Sequence, residues 1–224
     1  MRRILPGLLP GLLPGIWLAV LLLIPLRLSA QPDTSDTRLL QSPAVSRDHI
    51  AFIYAGDLWI CDLDGGNVRR LTSDPGAEIL PAFSPDGRTI AYSGQYEAAS
   101  PGFGVPAANV YTIPVTGGEP RRLTWYTGWD FVRGWTPDGK AVLFTSYREV
   151  SVGEGTPLFT VPAAGGFPTR LPVPRSRSAS WSPDGTRIAY NPKWDETAQW
   201  KNYRGGGHSR IWIQSLKDLA VEEI

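Results

Sequence analysis

Any chemistry in this chain has to come from a short inventory. There are two histidines, His49 and His208, and one cysteine, Cys61. A serine nucleophile needs a base held beside it. His49 opens a β-branched run, His208 follows three glycines, and no Gly-x-Ser-x-Gly elbow occurs. Two distant histidines and one cysteine do not have zinc-ligand spacing, so no metal and no cofactor is expected. Cys61 lies in an apolar run and reads as a small buried hydrophobe. Gly205-Gly206-Gly207 lacks the Lys-Ser/Thr pair of a phosphate loop. Asp86, Asp138 and Asp184 look like a carboxylate set, but each sits in the same local setting and is explained by its own turn. No catalytic residue is assigned.

That setting is the organising element. Ser84-Pro85-Asp86-Gly87 recurs as Thr136-Pro137-Asp138-Gly139 and Ser182-Pro183-Asp184-Gly185, at spacings of 52 and 46 residues. Proline fixes φ at the first corner, aspartate bonds back to the backbone, and Gly87, Gly139 and Gly185 supply a positive φ. A β-branched or aromatic run follows each turn, and Phe83, Trp135 or Trp181 precedes it. Each turn therefore joins two antiparallel strands. The period is that of a propeller blade rather than a helical repeat.

Each unit continues in the same order. A third strand is centred on Trp59, Tyr111, Phe159 or Trp212. Gly65-Gly66, Gly117-Gly118 and Gly165-Gly166 then turn the chain into a short outer strand, arginine-rich in Arg69-Arg70 and Arg121-Arg122. The first unit has a shortened turn at Ser46 to His49. In the fourth, Lys217-Asp218 replaces the Gly-Gly pair and the chain ends at Ile224. The expected fold is all-β, a WD40-like β-propeller of three complete four-stranded blades and an incomplete fourth, over residues 39–224. Twenty-four glycines, 21 prolines and nine tryptophans suit turns and aromatic strands. A net charge of +1, without long like-charge runs, gives no reason to expect nucleic acid.

The first thirty residues differ. Arg2-Arg3, an apolar run from Ile16 to Ile24 and Leu28-Ser29-Ala30 read as a signal peptide or a membrane anchor, followed by a polar tether over 31–38. Export to the periplasm or the exterior is the expectation.

The units resemble the WD40-like repeats of TolB proteins and, more closely, of tricorn-type proteases. Gly56-Asp57-Leu58-Trp59, the two Arg-Arg-Leu-Thr copies and Gly134-Trp135-Thr136-Pro137-Asp138-Gly139 look like the start of a tricorn protease homologue. Trp200-Lys201-Asn202-Tyr203-Arg204-Gly205-Gly206 resembles a motif in an insertion of that family's first propeller. The resemblance implies a six-bladed ring, with a second propeller and a serine protease domain further on, and a homo-oligomer in the full-length family. No catalytic residue of that family falls within this chain. The implied role is the non-catalytic propeller portion of a serine peptidase, admitting or orienting peptide substrates with the missing blades and protease domain. The alternative is an exported TolB-like propeller that binds a partner protein.

The strands have a scaffold explanation, but the long loops at 94–108 and 191–209 do not. The later loop holds Trp194, Trp200, Tyr203 and Arg204 beside the glycines. Aromatic and arginine side chains bury area while keeping polar contacts, as binding anchors do, and Arg204 can pair with a peptide carboxylate. These four are the candidate peptide- or partner-binding residues. The competing reading is that Trp200 and Tyr203 fold back over the rim.

Overall fold

A computed structural model describes residues 39–97, 104, 106–149, 156–192 and 210–224. The leader and tether, and candidate residues Trp194, Trp200, Tyr203 and Arg204, lie outside the described residues.

Sixteen strands form four antiparallel sheets, each a meander in chain order. The first holds β1 (Gln41–Val45), β2 (His49–Tyr54), β3 (Asp57–Asp62) and β4 (Arg69–Arg70). The second holds β5 (Ala77–Phe83), β6 (Thr89–Gln95), β7 (Asn109–Pro114) and β8 (Arg121–Arg122). The third holds β9 (Asp130–Trp135), β10 (Ala141–Ser146), β11 (Leu158–Pro162) and β12 (Thr169–Arg170). The fourth holds β13 (Ser178–Trp181), β14 (Arg187–Asn191), β15 (Trp212–Ser215) and β16 (Val221–Glu223). The all-β expectation holds. The incomplete fourth unit is corrected: Gln214 pairs with Val221 and Trp212 with Glu223, so the last residues supply the fourth strand. The sequence hid it because the turn at Lys217-Asp218 lacks the Gly-Gly signature of its counterparts.

The repeated turns are built as their residues dictate. In the first, the Gly87 amide donates to Ser84 O at 2.8 Å, the Ser84 hydroxyl to Asp86 Oδ1 at 2.6 Å, and the Thr89 amide to Ser84 Oγ at 3.0 Å. Gly87, Gly139 and Gly185 share φ values of 70, 69 and 71°, where a side chain would be strained. The serine or threonine hydroxyl and the backbone amide two residues after each aspartate hold all three below the usual carboxylate range, Asp184 at about 2. Ser46 alone does this work in the shortened first turn, accepting from the His49 amide at 3.0 Å.

Alternation then buries both faces of the middle sheets. Ile90, Tyr92, Tyr111 and Ile113 face the first sheet and pack on Ala51, Ile53, Leu58 and Ile60. Ala91 and Val110, on the opposite face, meet Val132, Val142, Phe144 and Phe159. Leu143 and Leu158 turn the other way, to Ile188 and Tyr190. Each fully buried side chain of this size contributes about 1.5–3 kcal/mol. The aromatic signposts are cross-strand pairs: Phe52 with Trp59, Tyr92 with Tyr111, Phe144 with Phe159 and Tyr190 with Trp212. The rings of the second and third pairs stack at 5.7 Å. The first strands β1, β5, β9 and β13 meet one another in succession, which puts them on the inner side of the array.

Candidate functional site

Antiparallel meanders sort the connections between two edges. The Pro-Asp-Gly and Gly-Gly turns share one edge, and the second-to-third and sheet-to-sheet links share the other. Both long loops picked from the sequence leave from that second edge, joining β6 to β7 and β14 to β15.

The described part of the loop edge is rich in aromatic and arginine side chains. Trp125 is 70% exposed, and the Arg122 guanidinium lies 5.4 Å from its ring and 5.9 Å from Tyr111 while pairing with Glu97. Arg148 lies 5.0 Å from Tyr126 and 5.3 Å from Phe159, and is ion-paired with the buried Asp130. Burial raises the Asp130 carboxyl, and Arg148 opposes only part of that shift. Trp129 packs on Phe131 and Tyr147, and its indole donates to Pro106 O at 3.0 Å. Trp125 and Trp129 lie between β8 and β9, outside the strands. Here they line the edge from which the long loops spring.

A second feature was missed altogether. The inner strands line a groove of about 250 Å³, with Pro43, Pro81, Val132, Arg133, Ser178 and Ala179 on its walls. β1, β5 and β9 each break register there, and Ser42 and Leu80 adopt φ values of 48 and 55°. A non-glycine residue in that region costs about 1–3 kcal/mol, and such bulges re-aim side chains. Arg133 is the bulged residue of β9, between Val132, which pairs with Phe144, and Gly134, which pairs with Leu143. Its guanidinium donates to Thr145 Oγ1 at 3.1 Å and lies over Phe131. Gly134 next to Arg133 was the available signal.

A larger cleft of about 470 Å³ lies at the turn edge between the second and third sheets, over Trp135 and between Asp86, Glu119, Arg121 and Asp138. Asp86 and Asp138 each accept from the Ser84 or Thr136 hydroxyl of their own turn. His49 pairs in register with Asp62 at the start of β2. Cys61 is buried. Among the described residues no group of three or more His, Cys, Asp or Glu side chains could hold a metal ion.

Sheet-to-sheet contact is also polar. Glu78, fully buried, accepts from the Leu58 amide at 3.0 Å, Thr72 at 2.6 Å and the Tyr96 hydroxyl at 2.5 Å. Burial raises its carboxyl, and the Thr72 and Tyr96 hydrogen bonds oppose that shift.

Among proteins of known kind, Tricorn protease homolog 1 from Streptomyces coelicolor is 32% identical over 180 residues, covering 80% of this chain and 16% of the homologue. The chain thus spans about a sixth of that relative's length. The crystal structure of the tricorn protease superposes with a TM-score of 0.69 at 27% identity, over 83% of this chain and 18% of that one. TolB from Acinetobacter baumannii gives 0.59 at 23% identity, over 82% of this chain and 43% of that one, a likeness of fold. Residues 37–224 match the tricorn protease N-terminal beta propeller domain, and the chain belongs to that family.

Proposed function

We propose that this chain is the non-catalytic propeller part of a tricorn-like serine peptidase, and that it admits or orients peptides for a protease domain carried elsewhere in a larger assembly. The family match over residues 37–224 carries the reading. The bulged inner groove and the aromatic loop edge support it, because both offer surface that the scaffold does not require. Trp194, Trp200, Tyr203 and Arg204 remain the proposed contacts, with Arg204 pairing with a peptide carboxylate. The leader sequence supports export, which cell fractionation would check: an intact precursor in the cytosol would contradict it. A TolB-like role in binding a partner protein rests on shared fold alone.

The test uses labelled oligopeptides with the purified chain. Retention without cleavage is the expected result, and Arg204→Ala should weaken retention while leaving the melting curve unchanged. Cleavage that disappears on mutating a residue of this chain would overturn the non-catalytic reading. Unchanged affinity in Arg204→Ala would remove that residue from the site.

A further inference from the structure

The three seams between consecutive sheets are built to one plan, and the third departs from it. In the first seam, Thr72 and Glu78 bridge to the Leu58 amide, and Arg69 on the outer strand donates to Val115 O of the next sheet. In the second, Thr124 accepts from the Val110 amide within the second sheet, Arg148 holds Asp130 within the third, and Arg121 crosses to donate to Ala164 O. Trp135 and Ser93 add two more links there, the Trp135 indole to Ala82 O at 3.0 Å and the Val132 amide to Ser93 Oγ at 2.9 Å.

The matching positions of the third seam hold other residues. Thr169 stands where Arg69 and Arg121 stand, Pro172 where Thr72 and Thr124 stand, and Ser176 where Glu78 and Asp130 stand. The backbone correspondence is direct: the Glu78, Asp130 and Ser176 amides donate to Gly56 O, Ala108 O and Thr156 O. Trp181 matches Trp135, yet its buried Nε1 has no partner. Gln214 reaches across to Pro172 O at 2.7 Å, but its Oε1 is also buried without a partner. The fourth sheet's inner strand, β13, runs in regular register, without the bulge of the other three. Apolar packing of Leu143, Leu158 and Val173 against Ile188 and Tyr190 remains.

From this we infer that the third seam is a built-in opening point, at which the fourth sheet undocks from the first three while these stay together as a block. Among the described residues the third seam keeps one buried side-chain link of this kind, the Thr156 hydroxyl to Ser176 O, but nothing matching the Leu58–Glu78 and Val132–Ser93 bonds, which must break before the other sheets part. Undocking would widen the inner groove, since Ser178 and Ala179 form one of its walls. The inference concerns the described sheets and holds whether or not the groove takes peptides.

Native-state hydrogen exchange on the full chain, resolved by peptide, tests it. The first sheet is the control, because it too has a single neighbouring sheet among the described residues. Amides of β13–β16 should exchange about tenfold or more faster than those of β1–β4, the scale expected from one or two missing seam hydrogen bonds. Thr169→Arg restores an exposed outer link and should slow exchange in β13–β16 alone. Pro172→Thr with Ser176→Glu copies the first seam and should slow it further. Thr72→Val should bring the first sheet toward the fourth. Equal exchange in the two sheets of the unmodified chain would overturn the inference, as would a Thr169→Arg effect spread evenly over all four.

Discussion

The seam between the second and third sheets and the seam between the third and fourth are both packed with aliphatic and aromatic side chains, yet among the described residues only the former lies beside a buried ion pair. Trp135 with Ala82, Val132 with Ser93, and Arg121 with Ala164 cross the second seam, beside the Asp130–Arg148 pair within the third sheet. The third offers Pro172, Ser176 and an unpartnered Trp181 at the matching places. The lesson is that one repeat grammar yields two kinds of joint. The hydrophobic alternation makes sheets stack, and a few polar residues outside the strands decide how firmly.

Substitutions break that contrast by degrees. The largest loss is expected for Asp130→Ala, which strands Arg148 beside Phe144 and Phe159 and should cost about 3–5 kcal/mol by urea unfolding. Glu78→Ala leaves the Leu58 amide and the Thr72 and Tyr96 hydroxyls without their common acceptor, and should cost about 2–4 kcal/mol at the first seam. Ser176→Ala, at the equivalent third-seam position, keeps the backbone link to Thr156 and should cost at most about 1 kcal/mol.

Acid sharpens the comparison through smaller effects. Asp184 is held at about 2, below its ordinary 3.8, so its turn contributes stability that is complete above the ordinary value and lost as pH falls through 2. Glu78 runs the other way: its raised carboxyl favours the folded state below its ordinary 4.5, and that contribution fades as pH rises through the folded value. Asp184→Ala should therefore flatten the acid limb of the stability profile, while Glu78→Gln should reduce the loss on the rising side. Potentiometric difference titration or melting temperature against pH checks both.

Much of this fold was legible from local chemistry. A Pro-Asp-Gly corner needs no distant partner, so Ser84, Thr136 and Ser182 could be read as turns from four residues each. The aromatic pairs followed from a constant spacing. The seam residues escaped because Glu78 acquires meaning only when the preceding sheet brings Thr72 and the Leu58 amide up against it. Their spacing was available: Glu78, Asp130 and Ser176 repeat at the same intervals of 52 and 46 residues as the turns. The change of residue type masked it. The inner groove was hidden for a similar reason, since a bulge at Leu80 or Arg133 depends on the partner strand's register rather than on composition. Val221–Glu223 carries no repeat signature of its own and becomes a strand only on the ladder that β15 supplies. Of the candidate site, the sequence located the loop edge and its long insertions, but not the groove at the centre.

The contrast between seams stands or falls most directly on two tryptophans at one repeat position. Phenylalanine at either place removes the same atoms, and because Trp135 is buried while Trp181 is partly exposed, the packing loss adds to the hydrogen-bond loss at Trp135. Trp135 gives up a hydrogen bond to Ala82 O, whereas Trp181 gives up a buried N–H that has no acceptor. Urea unfolding should therefore show Trp135→Phe to be more costly than Trp181→Phe by about 1–3 kcal/mol, the value of one satisfied buried bond plus the relief of one unsatisfied group. Equal losses, or a larger loss at Trp181, would contradict the account.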